Sequence, residues 1–278
     1  MLLPRNVIIA VLLAALLHAS WNITVRAGPD RRRETALLVA GGAMLAGAIL
    51  PFMPLPSASA WKYLIASAAL DTVYFALIAE IYARGGVALA YPLMRGTAPM
   101  LTALASWGLI GEALPVQAWL GIGVICCGVI LLAYDHGQPN ERRAVRLALT
   151  NAVVIAASTL NDAVGARVSG SPFAYALWLF PLMAVPTLCW LYRSTTLQWP
   201  TWPEARRGVG GAACVISSYG LLLYAMTASP VAPVAALREI SILFGVGLAR
   251  LLLRERPGLR DWAGALVIAT GAVILRLT

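Results

Sequence analysis

Almost the whole chain divides into apolar runs about as long as a bilayer is thick. The hydrocarbon core is about 30 Å deep, and a helix needs roughly 20 apolar residues to cross it. Ten such runs can be cut from the 278 residues: 5–26, 34–55, 60–83, 87–111, 115–134, 145–167, 172–192, 207–228, 231–253 and 259–277. The gaps are short and hold turn formers, as in Ala27-Gly28-Pro29-Asp30, Arg84-Gly85-Gly86 and Ser169-Gly170-Ser171-Pro172. Charged residues make up 12% of the chain, against about 25% in a soluble domain. Most of the surface must therefore face a solvent other than water. The predicted fold class is an all-α integral membrane protein of ten transmembrane helices, multi-pass in the cell inner (plasma) membrane. Residues 5–17 also resemble a signal peptide, but the polar stretch His18-Ala19-Ser20-Trp21-Asn22 that follows reads as part of a retained first helix.

The formal net charge of +9 does not indicate a nucleic-acid partner, because the basic residues lie mostly in the gaps between apolar runs, where they anchor membrane segments. Cys126, Cys127, Cys189 and Cys214 all fall within apolar runs, without CxxC or metal-type spacing. They read as small packing residues, and neither a cofactor nor a metal is expected.

The chain also repeats itself. Arg95, Glu112, Trp119, Gly121 and Gly128 return 143 positions later as Arg238, Glu255, Trp262, Gly264 and Gly271. Val124/Val267 and Ile125/Ile268 keep the same offset, and Asn22 has a looser counterpart in Asn161. The most polar stretch, 135–144, lies between the copies, so the expected organisation is a first five-helix repeat at 1–134, a central polar loop at 135–144 and a second repeat at 145–278. Five is odd, so two like halves enter the membrane from opposite sides. Such inverted repeats are common in secondary transporters, where the halves exchange conformations about an in-plane axis.

The segment Gly111-Glu112 with Trp119-Leu120-Gly121-Ile122-Gly123 and Gly128, and its second copy Arg254-Glu255-Arg256 with Trp262-Ala263-Gly264-Ala265 and Gly271, resembles the drug/metabolite transporter superfamily, EamA-type. His18-Ala19-Ser20-Trp21-Asn22 and Arg238-Glu239-Ile240-Ser241 are similar to one branch of it. The resemblance runs the full length and implies a secondary transporter with a central cavity lined by the third, fourth, eighth and ninth helices, with the first and sixth.

Charged groups within the bilayer cost at least about 2.5–3.5 kcal/mol each on insertion scales, so they need a partner, a cavity or a function. Arg95 and Arg238, as repeat equivalents, are expected near the midplane. Arginine forks bind carboxylates and phosphonates through paired hydrogen bonds. The expected substrate-binding residues are Arg95, Arg238, Tyr91, Asn22, Trp21, Tyr74 and Ser241, with Thr102 and Ser106 extending the polar face of the fourth helix. Proton or ion coupling, or ion pairing, is expected of Asp71, Glu80, Asp162, Glu239 and His18. A purely structural alternative pairs Arg95 with Asp71 and Arg238 with Asp162. Glu112 and Glu255 read as helix-end residues.

Fourteen basic residues fall on one side of the ten-helix layout (Arg26, Arg31, Arg32, Arg33, Arg84, Arg142, Arg143, Arg146, Arg193, Arg206, Arg207, Arg254, Arg256 and Arg260), and four on the other (Arg5, Lys62, Arg167 and Arg276). The positive-inside rule puts the fourteen in the cytoplasm and both termini outside; the resemblance implies both termini inside. The expected function is secondary-active transport, as an exporter, of a small anionic or zwitterionic metabolite such as an amino acid, carboxylate or phosphonate. The alternatives are a lipid or lipid-carrier flippase on the same scaffold, or a multidrug/cation exporter. An enzyme is not expected, because HExxH, GxSxG and Walker A motifs are absent from the sequence. Expected partners are the bilayer and a small-molecule substrate, with the chain a monomer or homodimer.

Overall fold

The computed structural model describes residues 3–28, 30–83, 87–131, 141–192, 199–252 and 258–276. Among the described residues the regular structure is helical: α1 (Arg5–Ala27), α2 (Arg31–Ile49), α3 (Trp61–Ala83), α4 (Val87–Ile110), α5 (Val116–Leu131), α6 (Glu141–Val168), α7 (Pro172–Tyr192), α8 (Trp202–Ala228), α9 (Val231–Leu237), α10 (Ser241–Leu252) and α11 (Leu259–Arg276). Among the described residues, seven segments are long and apolar enough to cross a membrane, and α5 and the Trp262–Arg276 part of α11 are shorter apolar helices. Apolar side chains such as Met44, Ile65, Leu109, Val185, Leu251 and Leu266 are exposed on the outside of the bundle. That distribution suits lipid, whereas a monomer in water rarely exposes large contiguous apolar surface.

Where the sequence predicts one continuous ninth helix, the structure has two pieces. A 3-10 turn at Arg238–Ile240 separates α9 from α10. Pro233 does not cause the break: it lies in the first turn of α9, where its missing N–H has no intrahelical acceptor to lose. α4 and α6 end where Gly111 and Gly170 take positive φ (70° and 80°), a backbone conformation that costs glycine little.

The helix contacts have a two-fold pattern. Take α9 and α10 as one broken helix and shift every helix by five places. The packing of α1 on α8 becomes that of α6 on α3, and α4 on α6 becomes α9–α10 on α1. The pairs α2–α7, α4–α9 and α5–α11 map onto themselves. The α5–α11 crossing shows the direction. A Cβ on Gly121 would lie 3.1 Å from the Gly271 carbonyl oxygen, one on Gly128 would lie 3.1 Å from that of Gly264, and one on Gly271 would lie 2.8 Å from that of Gly121. Early positions of α5 thus face late positions of α11, so the two equivalent helices run antiparallel. Glycine at these places lets the backbones touch, as small residues do in membrane helix pairs.

The candidate cavity and its polar lining

A cavity of about 180 Å³ lies at the centre of the bundle. α1 brings His18 and Trp21 to it, α3 Asp71 and Tyr74, α4 Arg95, α6 Ser158 and Asp162, α8 Tyr219, and the 3-10 turn Arg238. Much of the remaining wall is apolar, including Val39, Phe75, Leu179, Phe180, Met183 and Leu223. Helices α2, α6, α7 and α8 supply most of that apolar surface, so the polar groups are presented against walls that exclude water.

The repeat-related arginines both line this space, but their environments differ. Arg95 is buried and forms an ion pair with Glu239, Nη2 to Oε2 at 3.0 Å, with side-chain exposures of 7% and 5%. The contact is electrostatic rather than a well-aligned hydrogen bond, since Glu239 Oε2 has no hydrogen-bond donor. This replaces the expected Arg95–Asp71 pairing. Arg238 makes no ion pair with Asp162 or with any other acid among the described residues.

The asymmetry has a steric origin. Glu239 has its repeat equivalent at position 96, which is glycine. A Cβ on Gly96 would lie 2.7 Å from Ile130 Cγ1 and 3.2 Å from the Cys126 carbonyl oxygen. The packing of α4 on α5 thus leaves no room for a second acid at this position, and Glu239 pairs with Arg95 alone.

Asp162 is held differently. Ser67 and Tyr219 donate close hydrogen bonds to it, Tyr175 donates at 3.0 Å, and Ser158 Oγ lies 3.4 Å from Oδ2. Ser67 in turn accepts from Asn161 Nδ2 at 2.6 Å. This knot ties α3, α6, α7 and α8 together without a cation. Among the described residues Asp71 accepts from Ser158 alone, at 3.2 Å. The Ser158 hydroxyl has one hydrogen for two carboxylates.

The other expected site residues are spread more widely. Trp21 Nε1 donates to His18 Nδ1 at 3.3 Å, which fixes that nitrogen as an acceptor. Asn22 is occupied with the His18 carbonyl at 2.8 Å. Ser241 is buried at the start of α10 and does not line the cavity. Glu80 lies away from it, 3.5 Å from Arg143 and half-exposed. The Tyr91 side chain lies outside the described residues, as does Glu255. Among the described residues the polar face expected of α4 reduces to Arg95, because Thr102 and Ser106 turn back onto the Ala98 and Ala103 carbonyls of their own helix (2.9 and 3.1 Å). Tyr175 and Tyr219 were not anticipated. Both sit in apolar stretches where a tyrosine reads equally as packing, and only the third dimension brings their hydroxyls to Asp162.

The model of the EamA-like transporter family matches residues 5–134 and 142–277, two copies that together span nearly the whole chain. No curated protein matches it significantly. Among solved structures, one described only as "Crystal structure of protein" is 18% identical, covers 99% of this chain and 97% of its own, and superposes with a TM-score of 0.77, which shows a shared fold. With its membrane-length apolar helices, its duplicated halves and a match over both copies, the chain belongs to the EamA-like transporter family, a multi-pass membrane transporter of the drug/metabolite superfamily.

Proposed function

We propose that the chain is a secondary-active transporter, expected to export, of a small anionic or zwitterionic metabolite across the cell inner membrane. It would act as ten spans in two inverted five-helix repeats. The antiparallel, self-equivalent α5–α11 crossing supports the inverted arrangement. The observation that carries the substrate reading is the imbalance between the arginines: Glu239 forms an ion pair with Arg95, while Arg238 faces the cavity and forms none with an acid among the described residues. A carboxylate or phosphonate oxygen in the cavity would supply the acidic partner that Arg238 lacks. A volume of about 180 Å³ with mostly apolar walls suits a metabolite-sized solute. Asp71, with its single hydroxyl donor, is the best placed of the carboxylates to exchange a coupling proton or to receive a substrate ammonium.

The test is counterflow into proteoliposomes with a panel of radiolabelled amino acids, small carboxylates, small phosphonates and lipophilic cations. Uptake of a member of the first three groups, lost in Arg238→Gln, is the expected result. Uptake confined to lipophilic cations and unchanged in that variant would contradict the reading.

A further inference from the structure

Ion pairs that join one repeat to the other lie near both ends of the cavity. Where α6 and α8 end and α9 begins, Arg167 Nη2 donates to Glu112 Oε1 at 2.7 Å and to the Ser229 carbonyl at 3.1 Å, while its Nε donates to the Met226 carbonyl at 2.9 Å. Glu112 Oε2 accepts from the first backbone N–H of α9, Val231 N, at 2.8 Å. Met226 itself lines the cavity, so this latch sits at the cavity's boundary. α9 is buried over its whole length and leads directly into the turn that carries Arg238.

At the opposite end, where α2 and α8 begin, the pairing is reciprocal. Arg33 forks onto Glu204 (Nε to Oε1 2.8 Å, Nη2 to Oε2 3.1 Å), and Arg207 Nη2 reaches Glu34 Oε1 at 2.6 Å. Thr35, next to Glu34, lines the cavity.

We propose that these two sets of ion pairs are the opposed gates of the transport cycle, with Glu112–Arg167 closing one end of the cavity and Arg33–Glu204 with Glu34–Arg207 closing the other. The proposal deepens the transport reading and rests on it. Three observations carry it. Each set bridges the two family-matched halves, with Glu112, Arg33 and Glu34 in the first and Arg167, Glu204 and Arg207 in the second. These contacts must change if the halves move against each other. Each set also contains an arginine that is about a third exposed (Arg167 31%, Arg207 34%), so entering water can take over its bonds when the gate parts. Finally, the first gate holds the N-terminus of α9, which leads into the turn that carries Arg238, so opening it shifts the segment that presents this cavity-lining guanidinium.

The test places a reporter cysteine in the cavity by Thr159→Cys and measures labelling by a membrane-impermeant maleimide in right-side-out and inside-out vesicles. The same protein without the reporter gives the background from the native cysteines. Glu112→Gln keeps an acceptor for Val231 N but removes the negative charge that faces Arg167. Glu204→Gln keeps the helix cap of α8 but removes the negative charge that faces Arg33. Each should raise labelling at least about tenfold, from opposite faces of the membrane. Ser57→Ala, which removes a hydrogen bond to the Val168 carbonyl near the first gate, should change nothing. If either acid variant fails to fold, Arg167→Lys or Arg33→Lys replaces it under the same criterion. Acceleration from the same face in both variants, or unchanged labelling in folded protein, overturns the proposal. No substrate enters the measurement, so it stands or falls separately from the reading of Arg238 as the anion site.

Discussion

Asp162 and Asp71 lie on one cavity wall, bridged by Ser158, yet their surroundings give them different work. Asp162 takes hydroxyl donors from α3, α6, α7 and α8, while Asp71 takes one. Hydrogen bonds to a charged group contribute about 1.5–3 kcal/mol each. Asp162→Asn should therefore destabilise the protein by about 3 kcal/mol or more beyond Asp71→Asn, read as the difference in thermal unfolding of the detergent-purified variants. A larger loss in Asp71→Asn would show that the knot around Asp162 is not structural. Much of this was legible in residue identity alone. Acids and arginines within apolar runs stand out because the bilayer penalises them, and Arg95, Arg238, Asp71, Asp162 and His18 all reach the cavity. Their partners were not legible. The choice of Glu239 for Arg95 depends on a 3-10 turn that no periodicity announces, and the exclusion of an acid at position 96 depends on how closely α4 meets α5.

At the scale of elements, the 143-residue offset carried more structural information than any single motif. Gly121, Gly128, Gly264 and Gly271 recur because each sits where α5 and α11 touch backbone to backbone. Gly121 and Gly128 are buried within the monomer against α11. A Cβ on Gly128 would lie 2.8 Å from Ile268 Cγ1 and 2.9 Å from the Ile268 backbone nitrogen. Backbone cannot yield as a flexible side chain does, so Gly128→Ala should cost about 1–3 kcal/mol by overpacking. Gly123→Ala, whose Cβ would meet only Met100 Cε at 3.8 Å, should be close to neutral. Equal unfolding temperatures for the two variants would contradict the crossing. Glu112 shows the limit of reading elements from sequence. Its place beside Gly111 marks a helix end, as the pattern predicts, but its binding of Arg167 and of the α9 N-terminus joins segments 55 and 119 residues away.

At the scale of the whole molecule, the apolar runs and the duplication define an all-helical, two-repeat membrane protein, because both follow from local composition. What the cavity binds does not follow locally. In the proposed reading it depends on an imbalance across the repeat axis: Arg95 has an acid partner in Glu239, and Arg238 has none among the described residues. The most direct test of that imbalance is the thermal shift of the detergent-purified protein with small carboxylates, phosphonates and amino acids, repeated on Arg238→Gln and Arg95→Gln. A ligand that binds only the folded state raises its stability, by about 2.7 kcal/mol at a hundred times its Kd. Arg238→Gln should keep the unliganded unfolding temperature close to that of the parent protein and lose the shift from anions. Arg95→Gln should lower the unliganded temperature, since breaking a buried ion pair costs about 3–5 kcal/mol. Anion stabilisation that survives Arg238→Gln at full size would contradict the assignment of Arg238 as the substrate-facing charge.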